Sequence, residues 1–245
     1  MVIGDTVTID GTKASKPYVS ISDQPIRKAV AVQKQDADTG KKKPYNDQYS
    51  FDRTTVTIYS DKACTKAVTK VTTDENGYGE SEKLYYGTYY AKETKAPSGY
   101  QVYDHTFTIE IGETMSVDGS SGKTLVLKDA AIQKPIEVQK ADKDTGLTEP
   151  YNSNYSFDQM EVTIYKDADL SQAVQVLTTN AKGYAKSKEL YYGTYYVRET
   201  KAPKGYQLYD HTFTVVIGNT ITVDGKKAGS SDLASLTITD ESGEL

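Results

Sequence analysis

The sequence predicts an all-β fold, arranged as tandem Greek-key sandwiches, and three observations lead to it. Apolar residues alternate along short segments instead of recurring at helical spacing. Tyr, Val and Thr crowd those segments, with 21 Tyr against 4 Phe and no Trp, a mixture suited to pleated, half-buried surfaces. The chain also repeats itself at an interval the size of a domain.

The repeat sets the domain organisation. Residues 83–112 (KLYYGTYYAKETKAPSGYQVYDHTFTIEIG) and 189–218 (ELYYGTYYVRETKAPKGYQLYDHTFTVVIG) agree at 23 of 30 positions, at an offset of 106. The same offset carries VQKQDADTG (32–40) onto VQKADKDTG (138–146) and PYNDQYSF (44–51) onto PYNSNYSF (150–157). A partial third copy opens the chain: IGDTVTIDG (3–11) matches IGETMSVDG (111–119), and YVSISD (18–23) matches TLVLKD (124–129). Residues 1–25 therefore read as the C-terminal strands of a preceding, incomplete repeat, 26–131 as a first complete repeat and 132–245 as a second. The Pro-marked linkers QPI and QKPI are short, which implies a stiff array, with residues 1–25 expected to dock on the first repeat.

Turn signals divide each repeat into short strands: TG at 39–40, DENG at 74–77, YYG at 85–87, APSG at 96–99 and VDGSSG at 117–122. PYNDQYSFD has room for one helical turn at most. Strands this short and this regularly spaced suit a sandwich or a partly open barrel.

Composition excludes several functions. At 245 residues and 37% hydrophobic, the chain can build two compact cores. A net charge of -5 and the lack of a basic, aromatic-interleaved stripe exclude a nucleic-acid partner. No segment is apolar enough to span a bilayer, so no membrane partner is expected. The start lacks the basic and apolar regions of a signal peptide, so if the parent protein is secreted this chain is an internal or C-terminal fragment. Cys64 is the only cysteine and Leu170 stands at the equivalent position, which reads as a buried small hydrophobe. Without a disulfide, a secreted β protein relies on its core alone or on another staple.

Strand alternation points to that staple, because residues two apart share a face. Val30 and Val32 lead to Lys34, and Ile136 and Val138 to Lys140. Tyr89 and Ala91 lead to Glu93, and Tyr195 and Val197 to Glu199. Leu125 and Leu127 lead to Asp129, and Leu236 and Ile238 to Asp240. Each repeat thus puts one Lys, one Glu and one Asp on a buried register, where isolated charges are costly unless paired or neutralised. Desolvation favours a neutral amine and a neutral acid, the forms that condense to an amide. The glutamate can polarise the acid and shuttle protons, while folding supplies proximity worth roughly 7–11 kcal/mol of barrier.

At these residues the sequence resembles the collagen-adhesin B-type (CnaB) domain, also known as the SpaA-type pilin or prealbumin-like domain. The shared features are the lysine of VQKQDADTG and VQKADKDTG, the glutamate of YYAKETKAPSGY and YYVRETKAPKGY, and the acidic residue that ends the last strand. The resemblance implies an intramolecular isopeptide bond between Lys34 and Asp129, promoted by Glu93, and another between Lys140 and Asp240, promoted by Glu199. With Asp as the acceptor, water is lost where an Asn acceptor would release ammonia.

The remaining motifs read structurally. DADTG and DKDTG are expected to form Asx turns in preference to a calcium loop, and no metal or cofactor is expected. His105 and His211 lack a neighbouring His or Cys and read as strand residues. One Tyr of each YYGTYY pair should point inward, and the PYNDQYSF and PYNSNYSF loops are candidate contact surfaces.

These features imply a stalk segment of an extracellular, cell-wall-anchored surface adhesin or pilus-like protein of a Gram-positive bacterium. Its partners would be neighbouring repeats of the same parent protein. The alternative is an adhesive module gripping a host matrix protein or glycan. No turnover enzyme is expected, only single-turnover self-linking.

Overall fold

The computed structural model describes residues 2–3, 7–9, 12–13, 21–227 and 233–240, and the regular structure among them is all strand. Three short strands open the chain, β1 (Val2–Ile3), β2 (Val7–Ile9) and β3 (Thr12–Lys13). The first complete repeat contributes β4 (Arg27–Lys28), β5 (Ala31–Asp36), β6 (Thr55–Tyr59), β7 (Ala67–Thr72), β8 (Tyr78–Glu80) and β9 (Leu84–Tyr85). It continues with β10 (Gly87–Lys95), β11 (Thr106–Ile111), β12 (Met115–Val117), β13 (Ser120–Ser121) and β14 (Thr124–Asp129). The second repeat runs through β15 (Gln133–Lys134), β16 (Ile136–Asp142), β17 (Glu161–Tyr165), β18 (Ala173–Thr178), β19 (Tyr184–Lys186) and β20 (Leu190–Tyr191). It ends with β21 (Gly193–Lys201), β22 (Thr212–Ile217), β23 (Thr222–Val223), β24 (Lys226–Lys227) and β25 (Ala234–Asp240).

Each repeat is a two-layer sandwich. In the first, six strands in the order β13-β12-β11-β10-β6-β7 form one layer and β14-β5-β8 the other, with β4 and β9 paired as a short ribbon. The second repeats this with β24-β23-β22-β21-β17-β18, β25-β16-β19 and the ribbon β15-β20. The cores lie between the layers. Val32, Ile58, Ile109, Leu125 and Leu127 are fully buried in the first repeat, as are Val138, Ile164, Val215 and Ile238 in the second. Each such side chain is worth roughly 1.5–3 kcal/mol of burial.

The first and last long strands of a repeat lie side by side and parallel. Leu127 faces Lys34 and Asp129 faces Asp36 across β14 and β5, and β25 pairs with β16 in the same register, Ile238 facing Lys140. A parallel pair cannot be joined by a hairpin, so the rest of the repeat forms the crossover. The opening strands pair as the meander β11-β12-β13 does: Ile3↔Val7 and Ile9↔Thr12 reproduce Ile111↔Met115 and Val117↔Ser120. The expected docking concerns residues 1–25, of which 1, 4–6, 10–11 and 14–20 lie outside those described.

Two expectations fail. Cys64 is not a core residue: it lies part-exposed in the turn after β6 at φ 54, and Leu170 matches it at φ 55. Asp61 ties that turn, accepting the backbone N–H of Thr65 and Lys66, so the backbone of the turn, not packing, defines the position. His105 and His211 sit just before β11 and β22, not within them.

Candidate functional site

Three elements converge in the core of the first repeat. β5 buries Val32, Lys34 and Asp36 on one face, β14 buries Leu125, Leu127 and Asp129, and from the opposite layer β10 buries Ala91 and Glu93. Lys34 and Asp129 are 0% exposed and Glu93 4%. Lys34 Nζ donates to Glu93 Oε1 at 2.8 Å and also meets Asp129 Oδ2. The second Glu93 oxygen accepts the backbone N–H of Tyr103 at 2.6 Å, which fixes the carboxylate. Just past Glu93 the register of β10 against β6 shifts at a bulge before Lys95, a device that aims side chains at sites.

The electrostatics favour a neutral acid. Burial raises the Asp129 pKa, Lys34 opposes the rise and Glu93 adds to it, leaving the group at about 7. A protonated carboxyl carbon beside a lysine nitrogen, with a carboxylate bonded to that nitrogen, is a set that can exchange water for an amide.

Gly77 makes room for the lysine. Its carbonyl accepts the Lys34 backbone N–H at 2.8 Å, and a Cβ at this position, where φ is +70, would lie 2.7 Å from Lys34 Cβ. Gly183 stands in the same relation to Lys140.

The sequence reading missed a second buried carboxylate. Asp36 is fully buried; its Oδ1 accepts Thr39 N–H and Oγ1–H, and its Oδ2 accepts the Tyr100 hydroxyl at 2.8 Å. The Tyr100 hydroxyl in turn accepts Tyr45 N–H. DADTG is thus an Asx turn with an added tyrosine clamp, and Asp142, Thr145, Tyr206 and Tyr151 repeat the network. At Asp142 burial acts to raise the pKa, but hydrogen bonds from Thr145 and Tyr206 outweigh it and hold the group below its ordinary value. The signal for Asp36 was present, since it lies two residues beyond Lys34 on the same register.

In the second repeat Lys140 and Glu199 are fully buried, with Nζ and Oε1 3.8 Å apart, and Glu199 Oε2 accepts Tyr209 N–H at 2.6 Å. The Asp240 side chain lies outside the described residues; its backbone faces Asp142 as Asp129 faces Asp36. The histidines pair with acids across a hairpin, His105 with Asp118 and His211 with Asp224, each at 2.8 Å.

Comparison with known proteins agrees with this architecture. The family model described as "SpaA: Prealbumin-like fold domain" matches residues 28–123 and 134–228. Over 67 residues the chain is 34% identical to the trypsin-resistant surface T6 protein of Streptococcus pyogenes serotype M6, which is 27% of this chain and 12% of that protein. The Bacillus anthracis TIE protein superposes with a TM-score of 0.59 at 24% identity, over 89% of this chain and 34% of that one. A C-terminal fragment of the pilus adhesin SpaC from Lactobacillus rhamnosus GG gives 0.50 at 20% identity, over 91% and 99%. The chain thus spans only a small part of the T6 protein and about a third of the TIE protein, and the structural likenesses concern the fold.

Proposed function

We propose, because this chain belongs to the SpaA prealbumin-like domain family, that it is a load-bearing stalk segment of a Gram-positive surface protein, each repeat closed by its own Lys–Asp isopeptide bond. The observation that carries this reading is the meeting of Lys34 and Asp129 on adjacent parallel strands, with Glu93 bonded to the lysine. In the reaction Lys34 Nζ attacks Asp129 Cγ, the C–N bond forms and one C–O bond breaks. The departing oxygen leaves as water, with protons from the amine and the acid passed by Glu93. Lys140, Glu199 and Asp240 take the same roles by register. Each site reacts once, so the chain is not a turnover enzyme.

Placement outside the cell, on a wall-anchored parent protein, belongs to the same proposal. The relative named as a surface protein supports it. Intact-mass spectrometry tests the chemistry. The unsubstituted chain is expected to weigh two waters less than its sequence, and Glu93→Gln one water less. A full sequence mass for the unsubstituted chain would refute the bonds.

A further inference from the structure

The two repeats meet through a tyrosine joint. The Tyr45 ring of the first repeat stacks on Tyr191 of the second, centroids 3.9 Å apart, and Tyr49 packs against Tyr191 and Tyr192 at 6.3 and 6.0 Å. Tyr49 is 4% exposed and the linker residue Ile132 3%. Ile132 is anchored by its carbonyl, which accepts Tyr192 N–H at 2.9 Å. Gln48 Oε1 reaches to 3.0 Å from where a Cβ on Gly193 would sit.

The receiving half of this joint exists a second time, without a guest among the described residues. Ile26, Tyr85 and Tyr86 stand where Ile132, Tyr191 and Tyr192 stand in the next repeat. The linker already lies on the first repeat in the same way: Ile26 O accepts Tyr86 N–H at 3.0 Å, and Arg27 pairs with Tyr85 as Gln133 does with Tyr191. Yet Ile26 is 36% exposed, Tyr85 55% and Tyr86 71%. Beside them Tyr86, Gly87, Glu110 and Gly112 line an open cleft of about 320 Å³. The donor half recurs at the other end, where Tyr151, the counterpart of Tyr45, is 54% exposed.

We infer that the Ile26–Tyr85–Tyr86 face is a docking site for the Pro-Tyr-Asn loop of another repeat of the same kind, placed ahead of the first repeat in one polypeptide. Continuity with the existing joint selects this occupant. The segment from Asp23 to Val30 has the same length as that from Asp129 to Ile136, so it delivers a preceding repeat to the same place. A tether this short supplies an effective concentration of about millimolar, so a small aromatic contact closes the joint. The inference rests on reading the chain as an array, but not on the isopeptide bonds.

The test is a longer chain in which a copy of residues 26–129 replaces residues 1–23, with Cys64→Ser in both copies. One version carries Tyr45→Cys in the added repeat and Tyr85→Cys in the repeat that follows it. A control version carries Tyr45→Cys in the original first repeat and Tyr191→Cys in the second. Under mild oxidation both pairs should form an intramolecular disulfide, to extents within about twofold, read by non-reducing electrophoresis and mass. Closure of the control alone, or disulfides only between molecules, would overturn the docking site, and failure of both pairs would overturn the joint itself. Water loss read in the same mass spectra reports the isopeptide bonds independently.

Discussion

Asp129 is held where its neutral form is favoured, and this has a measurable consequence once the lysine is removed. In Lys34→Met no bond can form, and the lysine's lowering influence is lost, leaving burial and Glu93, which both raise the pKa above the value of about 7. A carboxyl whose folded pKa lies above its ordinary 3.8 binds more protons folded than unfolded between those values. Its stabilising contribution is therefore complete below 3.8 and is lost as pH rises toward and through the folded value. Denaturant unfolding of the first repeat in Lys34→Met is expected to give its highest free energy near pH 4 and to fall by about 3–5 kcal/mol by pH 8, the cost of a buried charge without its partner. A flat profile would show that the acid escapes to solvent.

Among the elements, the β7–β8 turn contributes most to placing the lysine. Asp74 accepts the N–H groups of Asn76 and Tyr78, which closes the turn so that Gly77 lies against Lys34 and Phe51, with no space for a methyl group. Gly77→Ala is expected to cost about 2–4 kcal/mol and to lower the fraction of purified chains whose intact mass lacks the first repeat's water. Gly119→Ala, at φ +76 with nothing within 4 Å of a Cβ, should carry only the backbone strain of about 1–2 kcal/mol and leave cross-linking unchanged. Equal effects from the two would remove the steric argument. The DENG turn and the buried registers of Lys34, Glu93 and Asp129 were legible in the sequence because alternation and turn chemistry are local. The parallel pairing of β5 with β14 was not, since period two fixes which face a residue takes but not which strand lies beside it. Asp36 shares the lysine's buried face while also closing an Asx turn, and the turn pattern alone conceals its burial; Cys64 shows that hydrophobicity alone does not distinguish a core position from a left-handed turn. The tyrosine loops were legible as contact surfaces, but the partners of the first, Tyr191 and Tyr192, lie in the other repeat, beyond the reach of local pattern.

For the whole molecule, topology decides how tension travels. A pull on the chain enters the first repeat at the start of β5 and leaves at the end of β14, and these strands run parallel and adjacent, so without a covalent link the load shears their ladder. With Lys34 joined to Asp129 the path runs from Ala31 to Lys34, across the side chains and out through Asp129, and residues 35–128 carry no load. Single-molecule stretching of the unsubstituted chain is therefore expected to show no unfolding event from the first repeat at forces that open ordinary β-sandwiches. Lys34→Met should add one event per molecule, releasing roughly 300 Å of chain, the extended length of the bypassed segment at about 3.4 Å per residue. A release of that length from the unsubstituted chain would show that tension passes through the hydrogen-bonded strands and that the covalent path is absent.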